Sequence, residues 1–157
     1  MRSLVLYDSL YGNTERIAHA IVSGLKASGD VKLKHVGRAS ARDIEETDLL
    51  VAGSPTHGGQ PKQEMKQFLD QLPDHALYNK RIAAFDTRFA IKDQGFGLRM
   101  LMKTIGFAAP RILKSLEAKG GRPAAEPKGF IVKDKEGPLK EGERDRAIAW
   151  ARLISSS

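Results

Sequence analysis

Short apolar runs alternate along the chain with longer segments in which apolar residues recur every three to four positions. Each run ends at polar or turn-forming residues, which is typical of strands buried in a parallel sheet. One run, VKLKHV, alternates polar and apolar residues and is therefore predicted to be an edge strand with one wet face. The predicted strands are residues 3–8, 31–36, 48–54, 81–87 and 128–134.

Amphipathic helices are predicted between these strands. In the first, Thr14, Ile17, Ala18, Ile21 and Leu25 follow the spacing of a helix with one buried face. A later helix is predicted to open at Pro110, because proline fits the first turn of a helix. The other predicted helices contain Met65–Leu72, Leu98–Ile105 and Ala147–Ile154, with a short one at 40–46.

The alternation of strands and helices predicts an α/β fold, a doubly wound parallel sheet of five strands with helices on both faces. A length of 157 residues favours a single domain, residues 1–157. In such sheets ligands bind beyond the carboxyl ends of the strands. With the strand order 2-1-3-4-5, the loops after strands one, three and four lie side by side. The sequence leaves open whether residues 113–130 form a long loop or a divided fifth strand.

The first of these loops, in YDSLYGNTERIA (residues 7–18), has the properties of an anion site. Gly12 permits close approach of the backbone, and Ser9, Asn13 and Thr14 add side-chain donors. Backbone N–H groups at a helix N-terminus, with the helix dipole, bind anions without a charged side chain. The alternative is that Asn13 or Thr14 only caps the helix.

Common nucleotide motifs are absent from this region. GSPTHG (residues 53–58) has the glycine spacing of a P-loop, but Gly59 and Gln60 stand where lysine and serine or threonine belong. No G-x-G-x-x-G sequence follows the first strand. Ser54 rather than an aspartate ends the third strand, which argues against a phosphoacceptor domain.

The second and third loops can form the walls of a pocket for a flat ligand. Residues 53–61 combine adjacent glycines with prolines, so little side-chain bulk separates a ligand from the backbone. His57 is the planar side chain there, and no other histidine lies at metal-ligand spacing from it. In residues 85–97, Phe89 offers an aromatic face and Arg88 a charge. The alternatives are ordinary loops, with Phe89 in the core and Arg88 in solvent.

Together, YDSLYGNTERIA, LLVAGSPTHGGQP and IAAFDTRF resemble the phosphate loop and the two ring-flanking loops of the flavodoxin family. The first loop is similar to the family pattern [ST]-x-[ST]-G-x-T, with Tyr11 in place of the usual hydroxyl residue. The resemblance implies a flavodoxin-like fold of strand order 2-1-3-4-5 and FMN as cofactor. It implies that these residues bind FMN: Ser9, Leu10, Tyr11, Gly12, Asn13 and Thr14 at the phosphate; Ser54, Pro55, Thr56, His57, Gly58 and Gly59 on one side of the ring; Asp86, Thr87, Arg88 and Phe89 on the other.

The resemblance implies electron transfer as the function, with a redox partner protein. Two alternatives remain: a flavodoxin-fold NAD(P)H-dependent quinone reductase or protoporphyrinogen-oxidase-like enzyme, and a binding module that has lost FMN. The second alternative is suggested by Tyr11 and by the lack of tryptophan or tyrosine in the ring-flanking loops. No catalytic acid/base pair is recognisable in the sequence.

Composition and charge limit the compartment and the partners that can be expected for the chain. The chain has no cysteine, which excludes disulfides and thiolate sites and favours the cytoplasm, and no apolar run is long enough to span a membrane. Residues 80–157 hold 17 Lys/Arg against 9 Asp/Glu, whereas residues 1–79 hold 9 against 10. We therefore expect an acidic redox partner. Nucleic acid is not expected as a partner, because aromatic interleaving is lacking. A monomer or weak homodimer is expected.

Overall fold

The computed structural model describes residues 1–90, 95, 97 and 106–157, and these form one parallel six-stranded sheet with helices on both faces. The strands are β1 Arg2–Tyr7, β2 Asp30–His35, β3 Leu49–Pro55, β4 Arg81–Phe89, β5 Arg122–Pro123 and β6 Lys128–Val132. The helices are α1 Asn13–Leu25, α2 Ala41–Glu45, α3 Gln63–Gln71, α4 Ala108–Ala118 and α5 Glu143–Ser156, and two short 3₁₀ helices span Lys26–Ser28 and Val36–Arg38.

The predicted strand order 2-1-3-4-5 is confirmed, and the fifth strand is divided into β5 and β6, which both pair with β4. Arg122 and Pro123 pair with Arg81 and Ile82, and pairing resumes where Lys128 meets Phe85. Four residues, 124–127, thus stand between these pairs against only two residues of β4, 83–84, so the segment forms a bulge. The sheet therefore has six strands, but β5 and β6 share the fifth position in the predicted order.

The predicted helices are present with small differences in their ends. α4 begins at Ala108, so Pro110 occupies the third helical position rather than the first. That position is still in the first turn, where a backbone N–H has no intrahelical partner and its absence costs little. The short helix predicted near residues 40–46 is α2, which Ser40 and Asp43 close with a capping box. The helix predicted at Leu98–Ile105 lies outside the described residues.

Two apolar layers cover the sheet because successive strand residues face opposite sides. In β1, Leu4 and Leu6 belong to the layer that contains α3 and α4, whereas Val5 belongs to the layer that contains α1 and α5. In the second layer the ring of Trp150 lies edge-on to those of Phe85 and Phe130, with centroids 6.4 and 6.2 Å away. Among the described helices none is long and apolar enough to cross a membrane.

Gly53 is required by this packing, and its replacement is the first test of the fold. Gly53 of β3 is paired with Phe85 of β4, and a Cβ on Gly53 would overlap the Phe85 ring. We expect Gly53→Ala to lower the free energy of unfolding by about 1 to 2 kcal/mol, measured in urea. Adding Phe85→Leu should make the effect of Gly53→Ala smaller, because the overlap is removed. An equal effect of Gly53→Ala in both backgrounds would contradict this packing.

Candidate functional site

A cavity of about 440 Å³ opens at the carboxyl edge of the sheet. Its walls come from the last residues of β3, β4 and β6, from the segments that follow β1, β3 and β6, and from the residues just before α4, as expected for a ligand site in a doubly wound sheet. The volume is in the range of small-molecule and cofactor sites. Of the residues predicted from the sequence, it is lined by Leu10, Tyr11, Asn13, Thr14, Pro55, Thr56, His57, Gly58, Gly59, Thr87, Arg88 and Phe89.

The other predicted residues lie behind these walls and hold them in place. The Gly12 N–H donates a hydrogen bond to Ser9 Oγ at 3.1 Å, which closes the first loop. Ser54 is fully buried, and its Oγ accepts the Lys62 N–H at 2.9 Å, which joins the end of β3 to the start of α3. Asp86 is fully buried beneath Arg88.

Sequence reasoning missed four residues of the cavity. Val132 and Lys135 end and follow the last strand, so the rule that ligands bind beyond carboxyl ends would have found them if applied to that strand. Gly106 and Phe107 immediately precede α4, and no pattern in the sequence assigns them to the cavity. Phe107 adds a second aromatic wall besides Phe89. The four are Gly106, Phe107, Val132 and Lys135.

The start of α1 provides free donors at one end of the cavity. Gly12 adopts a left-handed conformation (φ 90°), and no side chain among the described residues caps the helix. Asn13 and Thr14 make other contacts: Asn13 Nδ2 donates to the Glu136 carbonyl at 3.1 Å, and Thr14 Oγ1 lies 2.8 Å from Thr87 Oγ1. The capping alternative is therefore not what the structure shows. The first N–H groups of α1 remain available to an anion.

A buried carboxylate lies beneath the same loop. Asp8 is fully buried, and its Oδ1 accepts the Ser9 N–H at 2.9 Å. Lys62 Nζ donates to that oxygen at 3.3 Å and to the Ser9 carbonyl at 3.4 Å. His35 Nε2 lies 3.4 Å from the same oxygen, and Asp8 Oδ2 has no partner within the described part of the chain. Lys62 thus compensates the charge of Asp8 and, through its bond to the Ser9 carbonyl, holds the loop after β1 in place.

The same cluster does not have the properties of a metal site. Asp8, His35 and Glu64 each offer a ligand atom within 4.8 Å of the others. His35 Nδ1, however, accepts the Gly37 N–H at 3.0 Å, so in the neutral ring Nε2 carries the proton and cannot bind a metal. Lys62 already occupies the carboxylate of Asp8. We therefore interpret the cluster as structural.

Comparison with known proteins decides the family. The flavodoxin family profile matches residues 5–123 of the chain. The chain belongs to the flavodoxin family. The flavodoxin of Clostridium saccharobutylicum is 32% identical over 93 residues, or 58% of each chain. That of Aquifex aeolicus is 38% identical over 71 residues, 44% of this chain and 38% of the relative. The matched regions thus span 58% and 38% of these two relatives, less than two thirds of their length. The structure of Bacillus cereus flavodoxin 2 has a TM-score of 0.75 at 24% identity, covering 99% of both chains, and shows the shared fold.

Flavodoxins bind FMN, and family membership confirms the predicted cofactor. The cavity of this flavodoxin fits the group chemically. The start of α1 offers uncommitted N–H donors for a phosphate, and Phe89 and Phe107 offer apolar walls for a ring. Between them, residues 57–60 form a tight turn closed by two backbone hydrogen bonds of 2.9 Å, with positive φ at Gly58 and Gly59. A side chain is absent at the tip of that turn, so a flat ligand can approach the backbone closely.

His57 should make stability depend on pH. Partial burial lowers its pKa below the usual 6.5, and Lys62 lowers it further; Asp8 opposes this with a smaller effect than that of Lys62, and Lys135 adds the smallest lowering. The unfolded chain therefore binds this proton at a higher pH than the folded chain. As the pH falls from 7 through 6.5, protonation then favours the unfolded state. We expect the free energy of unfolding to fall more steeply in the parent than in His57→Gln between pH 7 and about 5.5. Identical pH profiles in urea denaturation would contradict the shift.

Proposed function

We propose that this chain is an FMN-dependent electron carrier, which receives electrons from a reductase protein and delivers them to a second redox protein. The strongest support is one cavity in which two features lie side by side. One is the N-terminus of α1, which no side chain among the described residues caps. The other is a space bounded by phenylalanine rings and by the glycine turn at residues 57–60. An anion site beside a slot for a flat ring suits a phosphorylated flavin. FMN supplies the redox chemistry, and the protein binds, orients and tunes it.

In this proposal the phosphate binds at residues 9–14 and the ring lies between residues 53–61 and the end of β4. The Ser9 hydroxyl accepts the Gly12 N–H and keeps its own proton for donation. In the Thr14–Thr87 pair one hydroxyl donates to the other, so one proton of this pair also remains. These donors supplement the N–H groups of the first turn of α1 without any cation in the loop.

A carrier is favoured over a small-molecule oxidoreductase by the chemistry of the walls. The cavity residues among the described part of the chain include no carboxylate. Burial lowers the pKa of His57, so a smaller fraction of it carries a proton to donate at neutral pH than of an ordinary histidine. Neither observation provides an acid/base pair for a substrate, and electron transfer needs none.

The partner in this proposal is an acidic protein. The excess of Lys/Arg in residues 80–157 and the exposed Lys135 beside the cavity support this. The rate of reduction by such a partner should fall as salt is raised from low to physiological concentration, since screening weakens the encounter. We also propose the cytoplasm as the compartment, consistent with a chain without cysteine, and a monomer or weak homodimer as the active form.

One set of assays separates these roles. The purified protein is reconstituted with FMN and mixed with NAD(P)H alone, with NAD(P)H and a quinone, and with NADPH and a flavin reductase protein. We expect bound flavin to be reduced at a useful rate only when the reductase protein is present. Quinone turnover with NAD(P)H alone would replace the carrier by an oxidoreductase, and failure to bind FMN would replace it by a binding module.

A further inference from the structure

Arg88 is held in the cavity wall by a two-point ion pair. Its Nε and Nη2 atoms donate to Asp86 Oδ1 and Oδ2 at 2.6 and 2.8 Å. Asp86 is fully buried, and its Oδ2 also accepts the Ala109 N–H at 2.8 Å. A pair of parallel hydrogen bonds to a carboxylate fixes both the plane and the orientation of a guanidinium group. Arg88 is therefore not a solvated side chain.

The space around this guanidinium is shaped to receive it. Gly129 of β6 lies against Arg88, and a Cβ at Gly129 would overlap its Nε and Cζ atoms. On another side, the Cζ of Arg88 lies 3.7 Å from the centre of the Phe107 ring. Both Arg88 and Phe107 line the cavity. The cation is thus preorganised by a glycine, an aromatic ring and a buried carboxylate.

The Arg88 side chain retains donors that the pair does not use. Arginine has five N–H groups, and Asp86 is the acceptor recorded for two of them, with no other acceptor among the described residues. The Arg88 side chain is 19% exposed, whereas that of Asp86 is fully covered. The positively charged side chain of the pair therefore faces the cavity, and the negatively charged one is buried behind it.

Arg88 is placed away from the predicted phosphate position. β1, which leads to the phosphate loop, and β4 are separated by β3, a distance of about 10 Å at the usual strand spacing. Thr87 faces α1, where its hydroxyl meets Thr14. Because successive strand residues face opposite sides, Arg88 faces the side of α4, where its partner Asp86 meets Ala109. The cation therefore lies beside the ring-binding part of the cavity.

We propose that Arg88 binds the polar edge of the flavin ring, and that the Asp86–Arg88 pair makes this cavity bind reduced FMN more tightly, relative to oxidised FMN, than a neutral pair would. This inference rests on the proposed FMN site. Reduced flavin carries negative charge on its ring once its N1 proton is lost, and a cationic donor stabilises a charged acceptor more than a neutral one. The preference raises the reduction potential of the bound flavin by linkage, because the tighter-bound redox state is favoured.

Two variants give opposite expected results. Asp86→Asn with Arg88→Gln removes both charges and keeps an acceptor for Ala109, so no buried charge is left unpaired. We expect the ratio of the Kd for reduced FMN to that for oxidised FMN to rise about tenfold, which lowers the two-electron potential by about 30 mV. Asp86→Asn alone leaves the cation without its counter-charge and should change the ratio in the other direction. A residue with only a structural role would not produce opposite signs.

The measurement combines FMN titration of the apoprotein with redox equilibration against dyes, and urea denaturation confirms that each variant is folded. A ratio unchanged in both variants, or changed in the same direction, overturns the inference. A tenfold loss of FMN binding in the double variant with no change for riboflavin would assign Arg88 to the phosphate and also overturn it. If the parent protein binds no FMN, the proposed function fails instead. Should the double variant not fold, the sign of the change in Asp86→Asn alone decides.

Discussion

Replacing Lys62 with methionine should lower the free energy of unfolding by about 3 kcal/mol, because it leaves a fully buried carboxylate without its cation. Lys62 Nζ is 3.3 Å from Asp8 Oδ1, and the other oxygen of Asp8 has no partner within the described residues. Methionine keeps most of the aliphatic length of lysine, so the loss isolates the charge. Urea denaturation at pH 7 measures the effect.

The matched control for this prediction removes the charge of Asp8, which Lys62→Met leaves without a cation. In a double variant, Asp8→Asn with Lys62→Met, no buried charge remains, and most of the lost stability should return. His35, 3.4 Å from the same carboxylate oxygen, is intact in both proteins and serves as the common background. If the single and double variants are equally destabilised, the cost comes from packing around Lys62 and not from the ion pair.

A negative charge at Tyr11 should weaken FMN binding by about ten- to hundredfold, or roughly 1.4 to 2.8 kcal/mol. Tyr11 lines the cavity beside the start of α1 and is 38% exposed, so a substituted side chain can be accommodated. In Tyr11→Glu the carboxylate would repel a phosphate held by the neighbouring N–H groups. Tyr11→Gln is the control, because glutamine has nearly the same shape as glutamate but no charge.

Two observations would identify the phosphate as the cause of that effect. The difference between Tyr11→Glu and Tyr11→Gln should shrink in high salt, because Tyr11 is partly exposed and charges there are screened. Riboflavin, which has no phosphate, should bind the two variants equally. If Tyr11→Glu and Tyr11→Gln bind FMN with the same Kd at low salt, the phosphate does not lie at this loop.

The strands could be predicted because their signals are local, whereas their order followed from the resemblance to the flavodoxin family. β1 and β3 are continuous apolar runs with a turn after them, and that pattern identifies a buried parallel strand without knowledge of the neighbours. The division of the fifth strand could not be predicted, because it depends on how residues 124–127 match a shorter stretch of β4. Register between strands is a property of the pair and not of either sequence.

The candidate site was predictable to the extent that it lies at strand ends. As predicted, residues that follow β1, residues that follow β3 and the last residues of β4 line one cavity. The contacts of their side chains were not predictable, since they join residues far apart in sequence. Asn13 holds Glu136, Thr14 meets Thr87, and Lys62 pairs with Asp8. The sequence does indicate that Asp8 needs a partner, because an aspartate at the end of a buried strand is costly to leave unpaired. Nothing in the sequence identifies Lys62 as that partner.

Two basic side chains line the cavity within the described part of the chain, and they are Arg88 and Lys135. Arg111 and Lys114, which lie in α4, are not among the cavity residues. Arg88 reaches the cavity because Gly129 leaves room, a condition that appears only when β4 and β6 pair.

The most direct test of the central claim compares FMN with riboflavin on the same apoprotein. The claim is that the start of α1 holds the phosphate with backbone N–H groups while the other loops hold the ring. Each hydrogen bond to a charged group contributes about 1.5 to 3 kcal/mol, so FMN should bind at least about a hundredfold more tightly than riboflavin. Fluorescence quenching of each flavin on titration gives both Kd values. Equal Kd values for FMN and riboflavin, or no binding of either, would contradict the account.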